Sequence, residues 1–141
     1  MNRKIFVNLP VKQLDKSMAF FKALGFTNNP QFTDETAACI VISDDIYAML
    51  LTETKFKTFT PKAVADAKKS TEVMTALSAD SKEEVNRLAD AALKAGATEA
   101  RPPMDYGFMY GRSFNDLDGH IWEIIWMDPA AVEGGPASAN A

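Results

Sequence analysis

Several residue types that carry chemistry are scarce in this chain of 141 residues. It has one cysteine and one histidine, and its 15 lysines and arginines are outnumbered by 19 aspartates and glutamates. The single cysteine, Cys39, excludes an internal disulfide, and the apolar run around it indicates a buried structural thiol rather than a catalytic one. The net charge of −4 argues against nucleic acid or an anionic membrane as the main partner.

Long hydrophobic runs are missing as well. No stretch approaches the ~20 apolar residues that a membrane-spanning helix needs. The N-terminus enters a strand pattern at once and has no apolar signal-peptide core. We therefore expect a cytoplasmic protein with no membrane partner. The length fits one domain, and an apolar fraction of 47% is ordinary for a globular protein.

What the sequence does contain is an internal repeat of about 70 residues. In the first half, apolar periodicity predicts a strand at 5–11, a helix at 14–24, and strands at 26–32, 37–43 and 46–52. In the second half, it predicts a strand at 72–79, a helix that begins at the capping box 81–84, and strands at 98–101, 108–115 and 120–126. Both halves read β-α-β-β-β, which predicts an α+β fold built from two βαβββ modules.

The segments outside the repeat are predicted to be a connector and a tail. The modules span about 1–54 and 71–127, and together they form one predicted domain, 1–127. Thr60 and Pro61 suit the start of a short helix over 61–68, within a helical connector at 55–70. Residues 128–141 are rich in Ala, Gly, Pro and Ser, which predicts a flexible tail.

The last predicted strand holds a carboxylate among apolar residues. Asp118-Gly119 between two apolar runs indicates a hairpin turn before it. In the strand, Glu123 shares a face with Ile121 and Ile125, while the tryptophans lie on the other face. A buried carboxylate is costly unless it is paired, protonated or bound to a metal. Glu123 is therefore the first candidate for a functional residue.

The repeat, the segment 6–14 (FVNLPVKQL), the stretch 17–25 and the closing segment 116–123 (DLDGHIWE) together resemble the glyoxalase/bleomycin-resistance/extradiol-dioxygenase superfamily, also called vicinal oxygen chelate proteins. The resemblance implies that the two modules form a cupped mixed sheet and that the protein is a homodimer. It also implies, in many members, a divalent metal in the cup. One residue from the first strand and one from the fourth strand of each module hold that metal.

The four metal-ligand positions that the resemblance implies are largely lost in this chain. Phe6 and Met74 stand at the first-strand positions, where the superfamily commonly has histidine. The fourth-strand positions fall at Leu50 and Glu123. Phenylalanine and leucine cannot ligate a metal, and a thioether is a poor ligand for hard divalent ions. Glu123 is thus the one ligand position that the sequence retains.

Other alignments do not restore a metal site. Shifting the first module by a residue or two brings in Asn8 or Glu53, but no histidine. The sole histidine, His120, lies three residues before Glu123 and is expected on the opposite strand face. The sequence therefore predicts no metal or other cofactor, although a divalent metal held by an unusual ligand set stays open.

Arg112 is the predicted partner of Glu123. A turn over residues 116–119 sets Arg112 opposite Glu123, and a two-residue shift sets Phe114 there instead. Both registers place Tyr110, Arg112 and Glu123 on one face. Arg112 then takes the place of the metal's charge, either within a ligand site or only as an ion pair that fixes the hairpin.

Three functional classes follow from these residues. We favour a protein that binds a small organic molecule in the cup, with a site that contains Glu123 and the residues Arg112, Tyr110, Phe108, Asn8 and Met74. The first alternative is a lactoylglutathione-lyase-like or extradiol-dioxygenase-like enzyme with a divergent metal site. The second is a structural or regulatory subunit that has kept only the fold. For Phe108 and Tyr110, a packed hairpin or a dimer contact is the alternative to a pocket lining.

Overall fold

The computed structural model describes residues 1–134, and the chain divides into two compact units between Ser70 and Thr71. Each unit contains one βαβββ module with a four-stranded mixed sheet. The predicted α+β class and the internal repeat are therefore confirmed. No helix within the described residues is both long enough and apolar enough to cross a membrane.

The first sheet has the strand order β1-β4-β3-β2, in which β1 runs parallel to β4 and the other pairs are antiparallel. Its elements in chain order are β1 (Ile5–Val11), α1 (Leu14–Ala23), β2 (Thr27–Asn29), a 3-10 turn (Pro30–Phe32), β3 (Ala37–Val41) and β4 (Ile46–Thr52). β2 is shorter than predicted because the Asn29 side chain accepts a hydrogen bond from the Gln31 amide at 3.0 Å and caps the 3-10 turn.

Helix α1 covers one face of the first sheet. Leu9 of β1 pairs with Leu50 of β4, and both are buried with Phe20 and Phe21 of α1. Because side chains alternate along a strand, Phe6 and Asn8 lie on the opposite face. Leu50 is 0% exposed and belongs to the core beneath α1.

The connector differs from its prediction. A short helix, α2 (Glu53–Lys57), follows β4 directly, and the Thr52 hydroxyl caps it by accepting the Lys55 amide at 3.2 Å. No helix forms over 61–68, so that prediction was wrong. Local turns occur there instead: Thr60 accepts the Lys62 amide at 3.1 Å, and Asp66 accepts the Lys68 amide at 3.0 Å. Such side-chain hydrogen bonds compete with helix formation, and a short helix needs an apolar face to bury.

The second sheet has the order β5-β8-β7-β6, with β5 parallel to β8 and the other pairs antiparallel. Its elements are β5 (Met74–Ser78), α3 (Lys82–Lys94), β6 (Thr98–Asp105), β7 (Met109–Asn115), β8 (Ile121–Met127) and α4 (Pro129–Gly134). Helix α4 replaces the start of the predicted flexible tail. The rest of that predicted tail, 135–141, lies outside the described residues.

Strand β6 continues beyond its predicted end at Arg101. It passes through Pro102 and Pro103 with two shifts of register against β7. A proline has no amide hydrogen to donate, but an edge strand tolerates it because one side of the strand forms no ladder. The predicted cap of α3 is confirmed, since the Ser81 hydroxyl accepts the Glu84 amide at 3.0 Å.

Helix α3 covers one face of the second sheet. Its buried residues Val85 and Leu88 pack with Phe114, Trp122 and Ile124, which are at most 1% exposed. These strand residues lie at alternate positions of β7 and β8, so the residues between them lie on the face opposite α3. Glu123 is on that opposite face.

Candidate functional site

The register of the closing hairpin decides which side chains can meet Glu123. Five residues, 116–120, separate β7 from β8, and Ser113 lies opposite Glu123. Arg112 lies opposite Ile124, and Tyr110 lies opposite Trp126, both on the α3 face. The predicted pairing of Arg112 with Glu123 was therefore wrong. A slip of one residue turns every side chain of a strand to the other face.

Asp116 explains the length of this loop. Its Oδ1 accepts the amides of Asp118 and His120 at 3.0 Å each, and its Oδ2 accepts the Trp122 indole N–H at 3.0 Å. Gly119, with φ of +92°, adopts a left-handed conformation that suits glycine. Burial raises the pKa of Asp116, while His120 and the donated hydrogen bonds act in the opposite direction. The loop thus extends through His120, and the importance of Asp116 was missed in the sequence.

Arg112 and Tyr110 join β7 to α3 instead of forming a site with Glu123. Arg112 Nη1 donates to Asp90 Oδ1 at 2.8 Å and to Asn86 Oδ1 at 3.1 Å. The Tyr110 hydroxyl donates to the same Asn86 oxygen at 2.8 Å. Lys82 lies over the Tyr110 ring, 6.0 Å from its centroid. These contacts stabilise the helix on the sheet, and they leave Arg112 on the wrong face for Glu123.

Arg101 of β6 is the residue that pairs with Glu123. The two side chains form an ion pair through Arg101 Nη1 and Glu123 Oε2, and they are 31% and 13% exposed. Arg101 lies opposite Ser113, which lies opposite Glu123. Neighbouring strands are about 4.8 Å apart, so the Arg101 side chain crosses β7 above Ser113 to reach Glu123.

Ser113 is buried beneath this ion pair, and its hydroxyl has no hydrogen-bond partner within residues 1–134. The residue is 4% exposed. Buried hydroxyls nearly always have a partner, because an unpaired one costs free energy. Small residues lie on the same face. Ala76 of β5 pairs with Glu123, and Gly111 lies two residues before Ser113 on β7. The centre of this face is thus a polar point among small side chains.

Apolar side chains border the polar residues. Met74 of β5 pairs with Ile121 of β8, one row away from Glu123, and Ile125 lies in the row on the other side. Met74 is 58% exposed, and Ile121 and Ile125 are partly exposed. Met74 therefore shares the face of Glu123, as the alignment of the repeat predicts. We refer to Arg101, Ser113 and Glu123, with this apolar border, as the Glu123 site.

The remaining predicted site residues are Phe108 in the second unit and Asn8 in the first unit. Phe108 is in the turn between β6 and β7, 50% exposed, and stacks on Tyr106 with ring centroids 6.4 Å apart. In the first unit, Phe6 stacks on Tyr47 at 4.7 Å. Asn8 lies on the same face as Phe6 and donates from Nδ2 to the Phe6 carbonyl at 3.4 Å.

Leu50 lies one residue away from the position that matches Glu123. In the second sheet, Met74 pairs with Ile121, two residues before Glu123. In the first sheet, Phe6 pairs with Tyr47, two residues before Met49. The repeat therefore matches Glu123 with Met49, whereas Leu50 faces α1.

The side chains at the four superfamily ligand positions do not fit a hard divalent ion. They are Phe6 and Met49 in the first module, and Met74 and Glu123 in the second. Only Glu123 offers an oxygen, and Arg101 already engages its carboxylate. Within residues 1–134, no three His, Cys, Asp or Glu side chains come together as a metal site. Thioethers suit soft metal ions, and hard ions require several oxygen ligands.

The chain contains two βαβββ modules, and Glu123 is its one retained ligand position. A family model described as bleomycin resistance protein-like N-terminal matches residues 3–43. A structure of a hypothetical protein from S. aureus is 31% identical with a TM-score of 0.74, and the match covers 89% of this chain and 95% of that chain. This chain therefore belongs to the glyoxalase/bleomycin-resistance/extradiol-dioxygenase superfamily.

Less similar structures share the fold. A glyoxalase/bleomycin resistance protein/dioxygenase family enzyme from Burkholderia phytofirmans is 16% identical with a TM-score of 0.71, covering 86% of this chain and 96% of that chain. A fosfomycin resistance protein from Mesorhizobium loti is 14% identical with a TM-score of 0.68, covering 94% and 98%. Comparison with curated proteins found no significant match.

Proposed function

We propose that this protein binds a small organic molecule at the Glu123 site and does so without a metal ion. The observation that supports this most is the Ser113 hydroxyl, which is buried next to the Arg101–Glu123 ion pair and has no hydrogen-bond partner among the described residues. Unsatisfied polar groups cost stability, and a ligand that supplies the missing hydrogen bond gives them a purpose. The exposed Met74 and the partly exposed isoleucines offer such a ligand an apolar contact.

The alternative of a purely structural ion pair explains less. An ion pair between β6 and β8 stabilises the sheet whether or not a ligand binds, but it gives no reason for a serine beneath it. Alanine at position 113 would fill nearly the same space without a buried hydroxyl. The lyase-like or dioxygenase-like alternative requires several metal ligands, and the donor set described above does not supply them.

A thermal-shift screen of purified protein tests this proposal. The library contains aromatic antibiotics, thiol conjugates, 2-oxo compounds and, because of the named relatives, bleomycin and fosfomycin. We expect at least one compound to raise the Tm of the natural protein, and Glu123→Gln to reduce that shift. Glu99→Gln is the matched control, because Glu99 is exposed on β6.

Two results would contradict the proposal. If Glu123→Gln lowers the stability of the free protein but leaves every ligand shift unchanged, the ion pair is structural. If metal analysis finds a stoichiometric divalent ion that Glu123→Gln removes, the protein is a metalloprotein of the superfamily, and the metal-free site is wrong.

We also propose that the protein is a homodimer, as the superfamily resemblance implies. β1 and β5 are each at the edge of their sheet. Both edges carry exposed large apolar residues: Ile5 and Phe6 are 55% and 49% exposed, and Val73 and Met74 are 60% and 58% exposed. Exposed apolar residues on strand edges favour pairing with a second chain.

A further inference from the structure

We propose that the ligand of the Glu123 site has a neutral head group in which a hydrogen-bond donor and an acceptor lie side by side, such as a carboxamide, attached to an aromatic body. This inference rests on the proposed function and adds the chemical class of the ligand. It is carried by the charge balance of the site, by the hydrogen-bonding capacity that remains there, and by the side chains around it.

The charge of the site is already balanced. Arg101 and Glu123 neutralise each other, and their side chains are only 31% and 13% exposed. An anion beside this pair would leave a net negative charge in a partly buried place, and a cation would leave a net positive one. Both cases cost desolvation free energy without a partner to offset it. A neutral head group avoids this cost.

The remaining hydrogen-bonding capacity is of both kinds. A guanidinium has five N–H donors, and a single Arg101 nitrogen, Nη1, contacts Glu123. The second carboxylate oxygen of Glu123, Oε1, has acceptor capacity left. A planar group with a carbonyl oxygen and an N–H can accept from Arg101 and donate to Glu123 at the same time. Carboxamides have this arrangement, whereas carboxylates lack the donor and amidinium groups lack the acceptor.

Ser113 supplies the third contact. Its hydroxyl donates or accepts, and Arg101 crosses above it. Because the Arg101 side chain is partly exposed, it can shift when a ligand enters and still bond to Glu123 and to the ligand carbonyl. The ligand then reaches the Ser113 hydroxyl, which has no hydrogen-bond partner among the described residues.

The border of the site favours an aromatic body. Met74 is unbranched and exposed, and thioethers adapt to aromatic rings and contact them favourably. Ile121 and Ile125 present aliphatic side chains on either side of Glu123. A flat ring on this border buries apolar surface while its head group reaches the ion pair.

Three probes with one ring and different head groups test the inference: benzamide, benzoate and benzamidine. Their binding is followed by titration of the Met74, Ile121 and Ile125 methyl signals in NMR spectra. We expect benzamide to bind the natural protein at least about tenfold more tightly than either charged probe, the factor expected from one charged hydrogen bond left unmade.

Variants that change the charge of the site sharpen the test. Glu123→Gln leaves Arg101 uncompensated, so the preference should change to benzoate. Arg101→Gln leaves Glu123 uncompensated, so the preference should change to benzamidine. The double variant Arg101→Gln with Glu123→Gln is neutral again and should return to benzamide. Ser113→Ala should weaken benzamide binding without changing the order of the probes. Amide spectra of each variant verify the fold.

The outcomes separate this inference from the proposed function. If benzoate or benzamidine binds the natural protein as tightly as benzamide, the neutral head group is wrong while a ligand site remains. The neutral head group is also wrong if a compound of the thermal-shift library shifts the Met74 methyl signal but benzamide does not. If neither the probes nor the library shift that signal, the proposed function is wrong.

Discussion

Ser113 and Glu123 lie side by side on the second sheet, but their polar groups are in opposite situations. Glu123 has an arginine as its partner, and the Ser113 hydroxyl has none in the part of the chain that the structure describes. A site that has only to hold a sheet together has no use for a buried, unpaired hydroxyl. The pair is therefore the strongest single support for the proposed ligand site.

Ser113→Ala should raise the free energy of unfolding by about 1 kcal/mol, because it removes a buried oxygen that has no partner. Ser17→Ala is the matched control. Ser17 is 3% exposed and its oxygen is not left unpartnered, so its loss should lower the free energy of unfolding by about 1 kcal/mol. Urea unfolding measures both. A loss of stability in Ser113→Ala similar to that in Ser17→Ala would show that the hydroxyl has a structural partner.

The pKa values of two aspartates should be shifted in opposite directions. Burial raises the pKa of Asp116 above its usual value of 3.8. In contrast, the Thr36 amide and hydroxyl donate to Asp34 and lower its pKa below 3.8. Carboxyl carbon signals in an NMR pH titration measure both groups in one sample. Midpoints in the reverse order would contradict burial as the dominant influence on Asp116 and hydrogen bonding as the dominant influence on Asp34.

The consequences for stability follow from linkage and have opposite signs. The contribution of Asp116 is present below pH 3.8 and is lost as the pH rises through its raised folded-state pKa. The contribution of Asp34 is present above pH 3.8 and is lost as the pH falls through its lowered folded-state pKa. The difference in the free energy of unfolding between the natural protein and Asp116→Asn, measured over this pH range, should show the first trend. The difference between the natural protein and Asp34→Asn should show the second.

In the closing hairpin, the sequence predicts the two strands but not the length of the loop between them. The periodicity predicts both strands within one or two residues, and the Asp-Gly signal predicts their turn. Whether the loop has four or five residues, however, depends on Asp116, whose carboxylate binds the His120 amide and so draws His120 into the loop. That one residue reverses the face on which Arg112 lies.

Arg101 was missed for a related reason. It is 22 residues from Glu123 in sequence, and the two prolines after it indicate the end of a strand. The sequence nevertheless contained a signal. If the predicted strand 98–101 pairs antiparallel with β7, its last residue, Arg101, comes near Ser113. Local patterns predict strands well, but the contacts between strands depend on bulges such as those of β6.

Asp116→Ala should lower the free energy of unfolding by about 2–3 kcal/mol, since it leaves the Trp122 indole N–H and two loop amides without their acceptor. Asp80→Ala is the control, because Asp80 is exposed before α3, and its effect should be within about 0.5 kcal/mol. Equal effects in urea unfolding would mean that Asp116 does not hold the hairpin loop.

For the whole molecule, the sequence predicts the repeat and the superfamily, because both depend on patterns that extend over entire modules. It does not predict that Arg101 pairs with Glu123, because that contact depends on side chains across three strands. Arg101 pairs with the carboxylate of Glu123, and we propose that this pair takes the place of a metal ion. A cytoplasmic location remains a prediction from composition.

The proposed homodimer is tested by light scattering after size-exclusion chromatography. We expect a mass of twice 15.4 kDa, and we expect Phe6→Lys on the edge strand β1 to reduce it. Phe59→Lys is the control, because Phe59 is 68% exposed outside both sheets. A monomeric mass for the natural protein, or the same effect from both variants, would contradict pairing at this edge.

The most direct test of the central claim is a map of where a small molecule binds. In the methyl NMR titration with benzamide, we predict shifts of Met74 and Ile121, on the face of Glu123, and no shift of Leu88 or Ile124, beneath α3. Ser113→Ala should reduce the shifts of the first pair. Shifts confined to methyl groups away from Glu123, or shifts that persist unchanged in both Ser113→Ala and Glu123→Gln, would contradict a ligand site at Arg101, Ser113 and Glu123.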